Sequence, residues 1–164
     1  MNDPVQDTAP AAPPSPAQLS AFLTCRIDTH EYGVDILKVH EIVGLLPVTP
    51  LHGSPRAISG VVNLRGSVVP VMSLRTLFNL GPGVASKHNV FIIIEHDQAL
   101  VGLAVDQVLE VVRFTPAQIE PPREIPPGID PSFITAVGTG HARPKHLLEI
   151  DRVLGLLADQ APAQ

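Results

Sequence analysis

The sequence predicts an all-β protein, and three observations carry that reading. Apolar residues come in runs of about five, separated by turn residues, a spacing that suits strands. The 18 prolines and 12 glycines among 164 residues punctuate the chain too often for long helices. The strand pattern then restarts halfway along, as one small unit written twice would do. Hydrophobic residues make up 45%, enough for a real core, and charged residues only 16%, low for a helical bundle.

Residues 1–18 are Pro/Ala-rich with almost no bulky apolar side chains and read as a disordered tail. The folded part runs over residues 19–157, leaving 158–164 as a flexible C-terminus. Phe22 to Ile27 is apolar with polar interruptions and ends at the turn Asp28-Thr29-His30-Glu31. Tyr32 to Asp35 and Val39 to Val43 follow as strands, after which Pro47, Pro50 and Pro55 break the ladder. Gly60 to Leu64 leads into Arg65-Gly66, a hairpin turn, and Val68 to Met72 returns from it. Ser73 to Leu80 is a short helix stopped at Gly81-Pro82-Gly83. Val90 to Ile94, Leu100 to Val105, Val108 to Val112, Phe133 to Val137 and Leu147 to Ile150 complete the strands, and Asp151 to Leu157 is a closing helix.

At an offset of 69 residues, Gly33, Val39, Glu41 and Val43 fall on Gly102, Val108, Glu110 and Val112, and three further pairs are both aliphatic. At an offset of 76, Ile58, Val61 and Leu74 fall on Ile134, Val137 and Ile150, a seven-residue insertion of loop size. Two β units of this length bury little core alone. Closing each into a barrel removes its edges, and packing the two together buries more. The expected division is a first barrel over about residues 19–83 and a second over about 84–157, with a partner groove between them.

The block Tyr32-Gly33-Val34-Asp35-Ile36-Leu37-Lys38-Val39-His40-Glu41-Ile42 resembles the opening of the CheW family. Gly60-Val61-Val62-Asn63-Leu64-Arg65-Gly66-Ser67-Val68-Val69-Pro70-Val71, followed by Leu74-Arg75, resembles its most diagnostic block. Val101 to Val108, Thr115 to Ile119 and Ile134 to Gly138 follow in the family's order, so the match covers about residues 20–157. The resemblance implies two packed SH3-like five-stranded β-barrels with short helices. It also implies a non-catalytic adaptor joining the cytoplasmic tip of a methyl-accepting chemoreceptor to the regulatory domain of a CheA-type histidine kinase. Receptor contacts would then fall on Val39, Glu41, Asn63, Arg65, Gly66 and Val90, and kinase contacts on Gly60, Val61 and Val68. His40 stands where the family commonly has Gln, and Gly140 to His146 is unusually basic for the last hairpin.

Each of these residues also has a plainer reading. Glu41 and Arg65 could form a solvated ion pair worth about 0–1 kcal/mol. Gly60, Gly66 and Gly102 suit turns or close backbone approaches. Val39, Ile42, Val61, Val62 and Val90 suit a core, with some facing outward because strands alternate. Cys25 reads as a small buried hydrophobe and, as the sole cysteine, leaves no intramolecular disulfide.

The alternative function is a small β-barrel metal-binding protein or enzyme using the seven histidines, but these are scattered and lack ligand spacing. No catalytic constellation, metal site or cofactor is expected. The net charge of -5 argues against nucleic acid. No targeting signal is visible, and the longest apolar runs fall far short of the ~20 residues that cross a bilayer. The expected place is the cytoplasm, beside membrane receptors through protein partners and without insertion.

Overall fold

The computed structural model describes residues 19–159; the expected tail over 1–18 lies outside the described residues. The strands are β1 Ser20–Ile27, β2 His30–Asp35, β3 Val39–Gly44, β4 Ile58–Leu64, β5 Ser67–Ser73, β6 Val90–His96, β7 Ala99–Val105, β8 Gln107–Phe114, β9 Ile119–Glu120, β10 Ile134–Gly138 and β11 Lys145–Leu148. Helix α1 is Leu74–Leu77, and the closing helix α2 is Ile150–Asp159. That helix reaches two residues into the stretch 158–164 expected to be flexible, and residues 160–164 lie outside the described residues.

The all-β expectation holds, with two sheets that make two SH3-like barrels. One sheet runs β8-β1-β2-β11-β10-β9 and the other β3-β6-β7-β5-β4. The second has the expected five strands; the first has a sixth because the two-residue β9 adds to its edge. The division of the chain differs from the expected split at residues 83 and 84. The barrel built on the first sheet takes β1 and β2 from the first repeat and β8 to β11 from the second. The other takes β3, β4 and β5 from the first repeat and β6 and β7 from the second. Each barrel is therefore assembled from both halves, through the parallel pairs β2–β11 and β5–β7 that close across the chain.

The repeat survives at the level of individual contacts. Phe22 pairs with Val112 as Phe91 pairs with Val43, and Cys25 with Val108 as Ile94 with Val39. Both ladders carry an irregularity at the same place. Gly33 lies opposite Leu147 as Gly102 lies opposite Val71. These two glycines are needed for close approach, since a Cβ on either would come within 2.8 Å of that partner's side chain.

Small apolar clusters fill the barrels: Val112, Phe114, Ala136 and Leu147 in the first, and Val62, Leu64, Val69, Val71, Phe91 and Ile93 in the second. Much the largest cluster lies between them, from Leu23, Cys25, Tyr32 and Val34 through Met72, Leu74, Phe78, Ile92 and Leu103 to Ile150 and Leu154. Strand alternation explains the layout, with one face of β1 and β6 turned into a barrel and the other into the shared core.

Two clasps of opposite sign brace this joint at the starts of the helices. Arg75 Nη1 donates to Asp106 at 2.6 Å, its Nη2 lies 3.3 Å from Asp28, and its Nε donates to the Gly81 carbonyl at 2.8 Å. Asp151, the repeat counterpart of Arg75, instead accepts from Lys38 at 2.8 Å and lies 3.5 Å from His96. That hydrogen bond raises the Lys38 ammonium and lowers the Asp151 carboxyl from their ordinary values.

Because the shared core belongs to both barrels, unfolding should be one transition. Tyr32 is the only tyrosine, tryptophan is absent, and its ring is buried in that core. Urea unfolding followed by tyrosine fluorescence and by far-ultraviolet circular dichroism should give coincident curves; a tyrosine transition at lower urea would mean that the barrels separate before they melt.

Candidate functional site

The second barrel brings together the residues singled out around Arg65. The hairpin turn expected at Arg65-Gly66 is present, with Leu64 paired to Ser67. Both turn residues have positive φ, +50° for Arg65 and +90° for Gly66, as a two-residue loop of the primed type requires. Asn63 Oδ1 accepts from the Gly66 amide at 2.7 Å and holds the turn from inside. Arg65 therefore occupies a conformation rare for a non-glycine residue, and its side chain, 66% exposed, is aimed back over the barrel.

Its partner is Glu41, at mid-strand on β3. Glu41 lies opposite Ile93, and its carboxylate accepts from Arg65 Nη2. Since β3 and β4 are the two outer strands of this sheet, the ion pair spans the gap between its edges. Val43 and Leu46 close the same gap underneath by packing on the barrel's apolar cluster. Thr49 closes it further along, exchanging backbone hydrogen bonds of 2.8 and 2.9 Å with Val61. His40 lies at the same edge, 3.7 Å from Glu41 and 3.9 Å from Glu95.

The rest of the expected set divides. Val39 and Val90 are half-buried at opposite ends of the β3–β6 ladder, opposite Ile94 and Gly44, and both pack on the shared core. Among the expected kinase residues, Val68 is 70% exposed and pairs with Asn63, so it adjoins the Arg65 turn. Val61 is half-buried in the Thr49 bridge. Gly60 is buried, and a Cβ there would overlap the Thr49 carbonyl, which makes its role steric. The two expected sets thus interleave on one hairpin. Ile42, Leu45, Val48 and Leu51 add exposed apolar side chains on β3 and the segment after it.

Duplication supplies a comparison inside the molecule. Glu110 is the repeat counterpart of Glu41, but its carboxylate has no side-chain partner among the described residues. The residue that matches Arg65 is His141, which lies edge-on to Phe114 at 5.2 Å. One barrel carries the ion pair and the other does not.

Several features escaped sequence reasoning. Arg75 was visible only as the end of a diagnostic block, and its two carboxylate partners come from distant turns. Glu31 and Lys145 form an ion pair that is almost wholly buried. His146 is buried too, with Nε2 3.0 Å from the Glu124 carbonyl and Nδ1 unpartnered. Among the described residues, no three His, Cys, Asp or Glu side chains stand close enough to share a metal ion. Among the described residues, no helix is long and apolar enough to cross a membrane.

A family model described as a CheW-like domain matches residues 21–158. Over 133 residues the chain is 36% identical to the chemotaxis protein CheW of Klebsiella aerogenes, covering 81% of this chain and 80% of that one. Over 144 residues it is 31% identical to the probable chemotaxis protein CheW of Rhizobium etli, covering 88% and 91%. Among solved structures it is similar to the scaffolding protein TtCheW from Thermoanaerobacter tengcongensis, with a TM-score of 0.72, 31% identity, and 79% and 88% coverage.

Two outcomes follow from the local geometry. Gly60→Ala should cost about 2 kcal/mol or more, since the backbone carbonyl it meets cannot move aside. Gly66→Ala, with nothing within 4 Å of its Cβ, should cost less. Urea midpoints of the two variants decide between this account and a purely surface role for Gly60. Cys25 is fully buried, and desolvation, helped by the Asp106 charge, pushes its thiol up to about 12. A thiol-specific chromogenic reagent at mildly alkaline pH should therefore leave the folded chain unmodified and titrate one thiol once urea is added.

Proposed function

The chain belongs to the CheW family, and from that premise we propose that it is a non-catalytic adaptor coupling the cytoplasmic tip of a chemoreceptor to the regulatory domain of a CheA-type histidine kinase. In this reading it works in the cytoplasm and meets the membrane system only through its partners. The observation that carries the reading is the Glu41–Arg65 pair. An exposed ion pair contributes little to folding, about 0–1 kcal/mol. Here it nevertheless stands on an arginine with positive φ and is braced by Asn63, while the matching pair is missing from the other barrel. The primed turn accounts for the backbone conformation, as it does at Asp97-Gln98 in the β6–β7 hairpin, and the cation it carries toward Glu41 is what the turn itself does not require.

In this reading Glu41 and Arg65 present a preset charge pair to the receptor, with Asn63 and Gly66 fixing the turn and Val39 and Val90 supporting the strands beneath. Val68 and the exposed apolar side chains of β3 and the following segment supply contact area beside it. Kinase docking uses the same barrel, through the β4–β5 hairpin. Activity would lie in the kinase, with this chain fixing relative position. No specific observation favours the metal or enzyme alternative: the His30 and His146 rings lie 6.1 Å apart, and among the described residues no group of three potential ligands forms around them.

A charge swap tests the direct contact. Arg65→Glu alone should leave the fold within about 0.5 kcal/mol, as surface sites do. It should weaken receptor-fragment binding at least about tenfold, with a smaller effect on the kinase regulatory domain. Glu41→Arg combined with Arg65→Glu restores the internal pair in reverse and should not restore receptor binding. If the swap recovers full affinity, the pair is only a strut. If neither variant changes affinity, this face is not the interface.

A further inference from the structure

The first barrel differs from the second at its mouth in a way the fold does not require. Glu31 and Lys145 point into the barrel on the same faces as Gly33 and Leu147. Their repeat counterparts in the second barrel are Leu100 and Val69, both apolar and packed with that barrel's interior. The same architecture thus closes without charge in one copy. In the other it buries an ion pair whose side chains are only 9% and 6% exposed. A buried pair of this kind is seldom a net gain over apolar residues of similar size.

Around this pair lies a cleft of about 450 Å³, lined by Arg26, Gln107, Val108, Leu109, Ala142 and Arg143 as well as Glu110 and the pair itself. Its floor is neutral overall, because Lys145 offsets Glu31. The rim is cationic. Arg143, 62% exposed, hangs 4.0 Å from Glu31 and 3.5 Å from the Thr29 carbonyl, and among the described residues Arg26 donates its side chain only to Gln107, at 2.9 Å. The one acid at the rim is Glu110. The excess positive charge comes largely from the basic hairpin that sets this sequence apart, and it stands out in a chain of net charge -5. Beside the cations, Val108, Leu109 and Ala142 form apolar walls.

We propose that this barrel mouth is a docking pocket for an acidic segment of a protein partner, with Arg26 and Arg143 taking a carboxylate and the apolar walls taking the side chains that flank it. The buried Glu31–Lys145 pair is a positioning element, holding the Arg143 guanidinium over the mouth. The inference goes beyond the adaptor reading and uses none of the residues assigned to the Glu41–Arg65 face, so either can fail alone.

The test is a titration of the full isotope-labelled chain, followed on arginine Nε–H resonances, with the blocked peptide Leu-Glu-Glu-Leu and its neutral control Leu-Gln-Gln-Leu. The acidic peptide should shift Arg26 and Arg143 saturably and less so at high salt, while the control should not. Arg143→Gln should weaken binding about tenfold. The double variant Glu31→Leu with Lys145→Val, which copies the second barrel, should melt no lower than the parent and bind more weakly. Absence of shifts, equal shifts from both peptides, or unchanged affinity in Arg143→Gln would overturn the pocket. A double variant that melts well below the parent, or binds as the parent does, would overturn the role given to the buried pair.

Discussion

The apolar joint between the barrels is the constraint on which everything else depends. Neither barrel owns its strands outright: the hairpin β1–β2 completes a barrel whose other strands come from the second repeat, and β6–β7 does the reverse. The cluster from Leu23 to Leu154 is larger than either barrel interior because barrels this small enclose little volume. Burying the outer faces of β1, β2, β6 and β7 against each other supplies the apolar area that a unit of this size lacks alone. The oppositely charged clasps at Arg75 and Asp151 then fix where each helix meets the joint.

This arrangement explains what the sequence discloses and what it hides. The repeat is legible because strand period and close-approach glycines are local: Gly33 and Gly102 each face a strand that leaves no room for a Cβ. The hairpin at Arg65-Gly66 is legible for the same reason, two residues being the whole turn. The division of strands between barrels is not legible, since it is decided by the parallel pairs β2–β11 and β5–β7, which join residues far apart and leave no local mark. A linear reading therefore assigns each repeat its own barrel, whereas the chain exchanges them. The charge of Lys145 misleads similarly. In sequence it belongs to a basic hairpin, but strand alternation turns it inward beside Glu31.

Duplication also separates structural residues from the rest. Positions where both copies agree, such as Gly33 with Gly102, Val39 with Val108, and Phe22 with Phe91, carry the ladder and the packing. Positions where they part are not demanded by the shared repeat, although some, such as Arg75 and Asp151, are structural in their own copy. Arg65 against His141, Val69 against Lys145 and Leu100 against Glu31 are of that kind. So is the seven-residue insertion, whose segment Pro121 to Pro127 roofs a separate cleft over His30 and His146. Glu41 and Glu110 are the instructive exception, being identical residues of which only one is given a cation.

A rigid joint with differing faces suits an adaptor better than an enzyme would need. What such a scaffold can deliver is fixed geometry. In the proposed reading, a partner seated on the Glu41–Arg65 hairpin would be held relative to anything seated on the other barrel by strands that cross the joint. Loosening the joint would therefore uncouple the two barrels' faces from each other while leaving both proposed contact sets together on the β4–β5 hairpin. The information the molecule conveys resides in the packing of Leu23, Tyr32, Ile92 and Leu103 as much as in any exposed residue.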